Sequence, residues 1–164
     1  MKQAQIYGQI FIYILTLVLV SFILVYGYNA VQNFKKRAEQ VSCLTFRNDL
    51  QNAVETMSSE FGSVKRKELQ LCNGYHSVCF VESKGTSVNL NDIDDPIIKD
   101  SISSNSGKNV FLVDKIAKES FNAGKISVKV PPNNKDILCI DAKNNQISLR
   151  LEGQGNYVLL SEWS

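Results

Sequence analysis

The sequence predicts an α+β protein, in which a long N-terminal α-helix packs on a C-terminal antiparallel β-sheet domain. Three observations predict this fold class. Residues 10–28 form an apolar run without a charged side chain, and an amphipathic helical pattern without proline or glycine follows from Asn29 to Phe61. Beyond Gly62, apolar residues alternate with polar ones, which is typical of strands.

The chain divides into four segments, which together suit one domain of modest size and an appendage. They are a leader or cytoplasmic stub (1–8), a transmembrane helix (9–28), an amphipathic continuation of that helix (29–62) and a β-rich globular domain (63–164). The 164 residues carry a formal net charge of +2, and no basic stripe is interleaved with aromatic residues. We therefore expect no nucleic-acid partner.

The apolar run from Ile10 to Tyr28 has the length of a membrane span. It contains about 19 residues, which at ~1.5 Å rise per residue cover close to the ~30 Å hydrocarbon thickness of a bilayer. A cleavable secretory signal would have a shorter apolar region and a small residue before its cleavage site, whereas Tyr28 is bulky. We predict a retained single-pass span with membrane lipid as its partner.

Two observations disagree about the orientation of this span. Only Lys2 precedes it, whereas Lys35, Lys36 and Arg37 follow it, so the positive-inside rule alone places the C-terminal side in the cytoplasm. An even number of cysteines and the lack of recognisable cytosolic chemistry favour export, and long domains translocate largely regardless of flanking charge. We predict a cell-membrane protein with an extracellular C-terminal domain.

After Tyr28, apolar residues recur at steps of three and four. They are Val31, Phe34, Ala38, Val41, Cys43, Phe46, Leu50, Ala53 and Met57, with Val54 and Phe61 widening the stripe. This period predicts one apolar face and one helix from about Gln9 to Phe61, ended by Gly62. The alternative is two helices with a bend near Gly27 or Asn29. The side chains expected to pack on the sheet are Phe46, Leu50, Val54, Met57 and Phe61.

Strand patterns occupy much of the remaining chain. They are KELQL (67–71), CFVES (79–83), NVFLV (109–113), KISVKV (125–130), ILCIDA (137–142), QISLRLE (146–152) and YVLLSEW (157–163). The last four predict an antiparallel meander with one apolar face. Earlier in the chain, Asp95 and Pro96 are typical of the N-cap and first position of a short helix.

The four cysteines predict two disulfides if the domain is exported, and reduced thiols if it is cytosolic. Three connectivities are open. We prefer Cys79–Cys139, because both residues lie in predicted strands, and this choice leaves Cys43 to join the helix to Cys72.

No pattern in the chain predicts catalysis, a metal site or a cofactor. His76 could join Cys72 and Cys79 in a zinc site, but we predict instead that CNGYHSVC (72–79) is the tip of a hairpin with Asn73-Gly74 as its turn. The acidic cluster Asp92, Asp94 and Asp95 could hold calcium, but it lacks the glycine and terminal glutamate of an EF-hand loop. We find no catalytic triad, P-loop or dinucleotide motif and predict a protein that is not an enzyme.

The order of these features resembles type IV pilin-like proteins: a short leader, an apolar segment continuing into an amphipathic helix, and an antiparallel sheet with cysteines. The leader would be cleaved between Gly8 and Gln9. Tyr7 stands where the family usually has a basic residue, and Tyr13 stands where bacterial members have an acid that archaeal members often lack. The chain also resembles small archaeal membrane-anchored proteins with a GQIFIYIL segment and a CFV strand.

The resemblance implies a structural subunit that assembles with copies of itself through the apolar helix. The helix face expected to make these contacts consists of Ile10, Phe11, Ile14, Leu17, Val18, Ser21, Phe22 and Val25. The product would be a surface filament or the pseudopilus-like part of a secretion or adhesion apparatus, with envelope or secretion-apparatus proteins as further partners. The alternative is a monomeric single-pass surface protein whose β-rich domain binds a partner or the cell envelope.

Overall fold

The computed structural model describes residues 3–82, 90, 93–129 and 137–163, with side chains from Ile10 onward. The chain forms two compact units, Met1–Gln40 and Val41–Ser164. The end of the long helix, from Val41, therefore belongs to the same unit as the sheets.

One α-helix, α1, runs over Gln3–Ser58, so Gly27 and Asn29 lie inside a single helix rather than between two. It begins earlier than the predicted Gln9, because no proline precedes the apolar run and Gly8 is tolerated inside a helix at a cost of about 1 kcal/mol. It also ends earlier than the predicted Phe61. The reason is a hydrogen bond to the sheet: Gly62, at φ 75°, donates its N–H to the carbonyl oxygen of Gly153 at 2.8 Å.

The rest of the chain forms eight strands and one short helix in the described residues. They are β1 (Val64–Gln70), β2 (Ser77–Val81), α2 (Pro96–Ser103), β3 (Val110–Val113), β4 (Ala117–Phe121), β5 (Ile126–Val128), β6 (Ile137–Asp141), β7 (Gln146–Gly153) and β8 (Val158–Glu162). They build two four-stranded sheets, in the orders β1-β7-β8-β5 and β4-β3-β2-β6. Every pairing is antiparallel except β5 with β8, so the predicted α+β class is confirmed.

The predicted C-terminal meander is wrong. Strand β6 pairs with β2 in the second sheet, and β5 lies parallel to β8 in the first. The predicted hairpin at Asn73-Gly74 is also wrong, since the flanking strands β1 and β2 belong to different sheets. Gly74, at φ 93°, turns the chain from one sheet to the other. Strand β4 was not predicted, because three polar residues separate its buried ends, Ala117 and Phe121.

The predicted cap of the short helix α2 is confirmed. Asp95 Oδ1 accepts hydrogen bonds from the N–H groups of Ile97 at 2.8 Å and Ile98 at 3.3 Å. Its other oxygen, Oδ2, accepts from the N–H of Ala117 at 2.6 Å, which ties α2 to β4. Both oxygens of this carboxylate therefore have structural partners. Asp92 of the predicted acidic cluster lies outside the described residues.

The core of the second unit forms where the last turns of α1 meet the sheets. Its helical members are Phe46, Leu50, Val54 and Met57, and its strand members include Leu69, Ile147, Leu149, Leu151 and Leu160. The ring of Phe46 meets that of Phe121 edge to face, with 6.3 Å between centroids. Burying each such side chain contributes about 1.5–3 kcal/mol before the entropy cost is counted.

Five members of the predicted stripe are exposed rather than buried: Val31, Phe34, Ala38, Val41 and Phe61. Phe61 is 81% exposed, because the helix has ended and the chain turns before it. Val41 is 62% exposed, because it precedes Cys43 by two residues and so lies about 200° away from it around the helix. The predicted single stripe is therefore wrong at this point, and the buried face of α1 begins at Cys43.

Candidate functional site

The apolar segment of α1 presents its side chains to its surroundings on every side. From Ile10 to Tyr28 the large apolar residues are 44–70% exposed, and none of them is buried within the structure. The segment belongs to the single helix, among the described residues, that is long and apolar enough to cross a membrane. Such a surface suits a non-aqueous environment, of which lipid and other apolar helices are examples.

The two aliphatic hydroxyl groups in this segment form hydrogen bonds within the helix itself. Thr16 Oγ1 donates to the carbonyl oxygen of Tyr13 at 2.9 Å, and Ser21 Oγ donates to that of Leu17 at 2.8 Å. An unsatisfied hydroxyl would oppose entry into hydrocarbon, so these two bonds make the segment compatible with a dry environment.

The predicted assembly face is exposed, but the structure does not distinguish it from the rest of the circumference. Its members are Ile10, Phe11, Ile14, Leu17, Val18, Ser21, Phe22 and Val25, all of them exposed. Leu15, Leu19 and Ile23, which lie outside it, are exposed as well. Assembly through this particular face stays a prediction.

The residues that flank the apolar run lie in the same helix. The Gly8–Gln9 bond, predicted as the leader cleavage site, falls inside α1, and cleavage there stays a prediction. Lys35, Lys36 and Arg37 are exposed on the helix after the span. Their positions are compatible with either orientation in a membrane.

Two disulfides join the four cysteines in the predicted pairing. Cys43–Cys72 links α1 to the segment after β1, and Cys79–Cys139 links β2 to β6, where the two residues are directly opposite in the register. In this structure every cysteine is therefore bonded to another cysteine. Disulfides persist in oxidising compartments, which favours an exported domain.

His76 participates in a small surface network of charged side chains. Its Nδ1 lies 2.9 Å from Asp114 Oδ1, and the other oxygen of Asp114 accepts a hydrogen bond from Lys118 Nζ at 2.7 Å. The bond from Lys118 is the main reason why the pKa of Asp114 lies below its usual value. Within the described residues no group of three histidine, cysteine or acidic side chains could hold a metal ion.

A groove of about 680 Å³ lies beside the core of the second unit, and no pattern in the sequence predicts it. It is lined by Gln51, Asn52, Val54, Glu55, Ser58, Ser59, Asn122, Ala123, Gly124, Lys125, Gly155 and Asn156. These residues come from α1, the β4–β5 connection and the β7–β8 turn. Because the three segments are far apart in the chain, only the folded structure brings them together.

The connection between β4 and β5 forms a fixed wall of this groove. Asn122 Nδ2 donates to the carbonyl oxygen of Gly107 at 2.6 Å, and Asn122 Oδ1 accepts from the N–H of Gly124 at 2.7 Å. The N–H of Ala123 donates to the buried side chain of Asn109 at 2.8 Å. The groove is therefore formed before any ligand arrives.

The chain matches no protein-family model, no curated protein and no solved structure. Its function must therefore be argued from the apolar helix segment, the disulfide-bonded domain and the groove.

Proposed function

We propose that this chain is a membrane-anchored, non-enzymatic structural subunit of the pilin-like type, which assembles through its N-terminal helix into a surface filament or pseudopilus. The observation that carries the proposal is the exposed apolar surface of residues 10–28. It belongs to the same helix, α1, whose last turns form the core of a disulfide-bonded domain.

This arrangement supports assembly as well as anchoring, because lipid and a bundle of apolar helices are similarly dry. The segment is uncharged and its threonine and serine hydroxyls are bonded to its own backbone, so it can leave one environment for the other without exposing these two groups. The two disulfides suit a domain that works outside the cell, where no chaperone or reductase maintains it.

A second candidate is a monomeric surface protein that uses the same helix only as an anchor. The even exposure of the whole helix circumference favours it, since a dedicated assembly face would be expected to differ from the lipid-facing side. In this case the exported domain would perform the function alone.

A pair of photo-crosslinking variants separates the two candidates. A benzophenone amino acid replaces Val25, in the predicted assembly face, or Ile23, which lies about 200° away around the helix. Filament-type assembly through this face predicts covalent dimers in native membranes from position 25 and far fewer from position 23. Equal yields at both positions, or no dimers at either, would favour the monomeric anchor.

Two further measurements test processing and export. Pilin-type processing predicts that the mature chain, purified from membranes and sequenced from its N-terminus, begins at Gln9, whereas an intact Met1 would contradict it. Export predicts that a thiol-alkylating reagent, applied under denaturing conditions without reductant, labels none of the four cysteines. Labelling of all four would place the domain in a reducing compartment.

A further inference from the structure

The groove beside α1 has hydrogen-bonding groups that its own contacts do not use. Gln51 Nε2 donates to the carbonyl oxygen of Asn122 at 2.6 Å, which leaves Gln51 Oε1 as an acceptor. Asn156 Oδ1 accepts from Lys125 Nζ at 3.2 Å, which leaves the Asn156 amide as a donor. Asn52 has no hydrogen-bonding partner in the part of the chain that the structure describes. The groove therefore offers donors and acceptors side by side.

The charges in the groove nearly cancel. Glu55 is its only acid and Lys125 its only base among the described lining residues. Phosphate and nucleotide ligands are bound by several positive groups or by bidentate arginine, and neither is present in the lining. A charged ligand is thus disfavoured, and a neutral polar one is favoured.

Few of the described side chains that line the groove are apolar. Its two apolar lining side chains, Val54 and Ala123, are buried members of the core. Peptides that bind in grooves usually place apolar anchors in apolar pockets or add a strand to a sheet edge, and lipids need a larger apolar surface. With only two apolar side chains in its described lining, the groove favours a polar ligand over either class.

One exposed aromatic ring, that of Phe61, is not itself part of the lining but lies next to a residue that is. A Cβ atom placed on Gly155, which lines the groove, would lie 3.4 Å from Phe61 Cδ2. The ring of Phe61 therefore lies against the β7–β8 turn, and it is exposed although its burial would stabilise the fold. An exposed ring face beside a polar groove can stack against the C–H face of a sugar ring, while the polar groups bind the hydroxyls.

We propose that this groove binds a neutral oligosaccharide. The side chains of Gln51, Asn52, Glu55 and Asn156 hydrogen-bond the sugar hydroxyls, and the ring of Phe61 stacks against one sugar unit. The site lies wholly within the second unit, so the proposal is independent of how the apolar helix is anchored or assembled.

The test is a binding titration with the full-length chain, labelled with ¹⁵N and held in micelles of a detergent without a sugar headgroup. Chitotetraose, maltotetraose and mannotetraose are added separately up to about 10 mM, a concentration that detects the millimolar Kd expected of an open site. We expect at least one of them to shift the amide signals of Asn52, Gly124 and Gly155. An uncharged Gly-Ser peptide of similar length is the comparison ligand and should shift none of them.

Variants separate stacking from a general effect on the fold. Phe61→Ala should raise the Kd of the bound saccharide about tenfold, the usual effect of losing one aromatic contact. Ile97→Ala, at an apolar residue on α2 that is 43% exposed and outside the groove, should leave it unchanged. Both variants should keep the amide spectrum of the β-sheets, which shows that they fold.

Three results would overturn the proposal. The first is the absence of shifts with all three saccharides. The second is saccharide binding that survives both Phe61→Ala and Asn52→Ala, since binding would then occur elsewhere. The third is a Gly-Ser peptide that binds as tightly as the saccharides, which would identify the groove as a peptide site.

Discussion

Leu50→Ala tests whether the last turns of α1 are an integral part of the domain. Leu50 is 0% exposed and lies in the core cluster between the helix and the sheets. Truncating a fully buried leucine lowers the free energy of unfolding by about 2–5 kcal/mol, from lost transfer energy and the cavity that remains. For a unit of about 120 residues, each 1 kcal/mol corresponds to about 4 °C in Tm. We therefore expect Tm to fall by about 8–20 °C.

The matched control is Leu44→Ala, which removes the same atoms from the same helix. Leu44 is 57% exposed, so its truncation should change the free energy of unfolding by no more than about 0.5 kcal/mol. Thermal unfolding of the full-length chain in micelles, followed by near-ultraviolet circular dichroism, reports the tertiary packing of the domain. Equal losses of Tm in both variants would refute the packing of α1 on the sheets, as would no loss in either.

Three further predictions concern single positions. Leu19→Arg should prevent stable membrane insertion, because a central arginine costs about 2.5–3.5 kcal/mol, and carbonate-resistant membrane fractionation of the variant would contradict the span. Gly153→Ala should lower the free energy of unfolding, measured by chemical denaturation, by about 3 kcal/mol or more, because the new Cβ would collide with the carbonyl oxygen of Glu60. Gly27→Ala is the control, since no atom lies within 4 Å of the Cβ that it would add. Burial raises the pKa of Tyr75 to about 12. The fold thus favours the protonated phenol, so this contribution to stability is complete below pH ~10 and is lost as the pH rises towards ~12. Ultraviolet phenolate titration should show one late tyrosine that disappears in Tyr75→Phe.

The long helix could be predicted from the sequence because its signals are local. An uncharged run and a period of three to four residues define a helix without reference to the rest of the chain. The positions of the two helix ends were predicted less accurately, because they depend on contacts with residues that are distant in sequence. The end at Ser58 rather than Phe61 is set by the hydrogen bond between Gly62 and Gly153.

Strand positions were predicted better than strand partners. Alternation reveals which residues face a core, but it does not reveal which other strand lies alongside. Strand β6 has the same apolar alternation as β7, yet it pairs with β2 across a long stretch of chain. Strand β4 escaped detection because its interior is polar and its pairing with β3 shifts register between Leu112 and Val113.

Features that depend on distant parts of the chain could be predicted only where each part has a recognisable pattern of its own. The pairing of Cys79 with Cys139 could be inferred, because both residues lie in recognisable strands and an even count restricts the choices. The groove could not, because its lining combines a helix side, a connection and a turn that have no common pattern. Phe61 was even assigned to the core, and only the position of Gly155 beside it suggests a different role.

Orientation in the membrane depends on which of two physical effects is stronger. The basic residues Lys35, Lys36 and Arg37 favour a cytoplasmic C-terminal side by about 1 kcal/mol each near an anionic surface. The disulfides Cys43–Cys72 and Cys79–Cys139 close loops with sequence separations of 29 and 60 residues. A disulfide that closes a loop of such a length typically adds about 3–4 kcal/mol to the free energy of unfolding of a small domain. A reducing cytoplasm would remove both contributions. Losing both cross-links would lower the stability of the domain, so this effect favours the extracellular side, against the charge bias. The charge bias acts only during insertion, whereas the cross-links stabilise the domain for as long as it is folded.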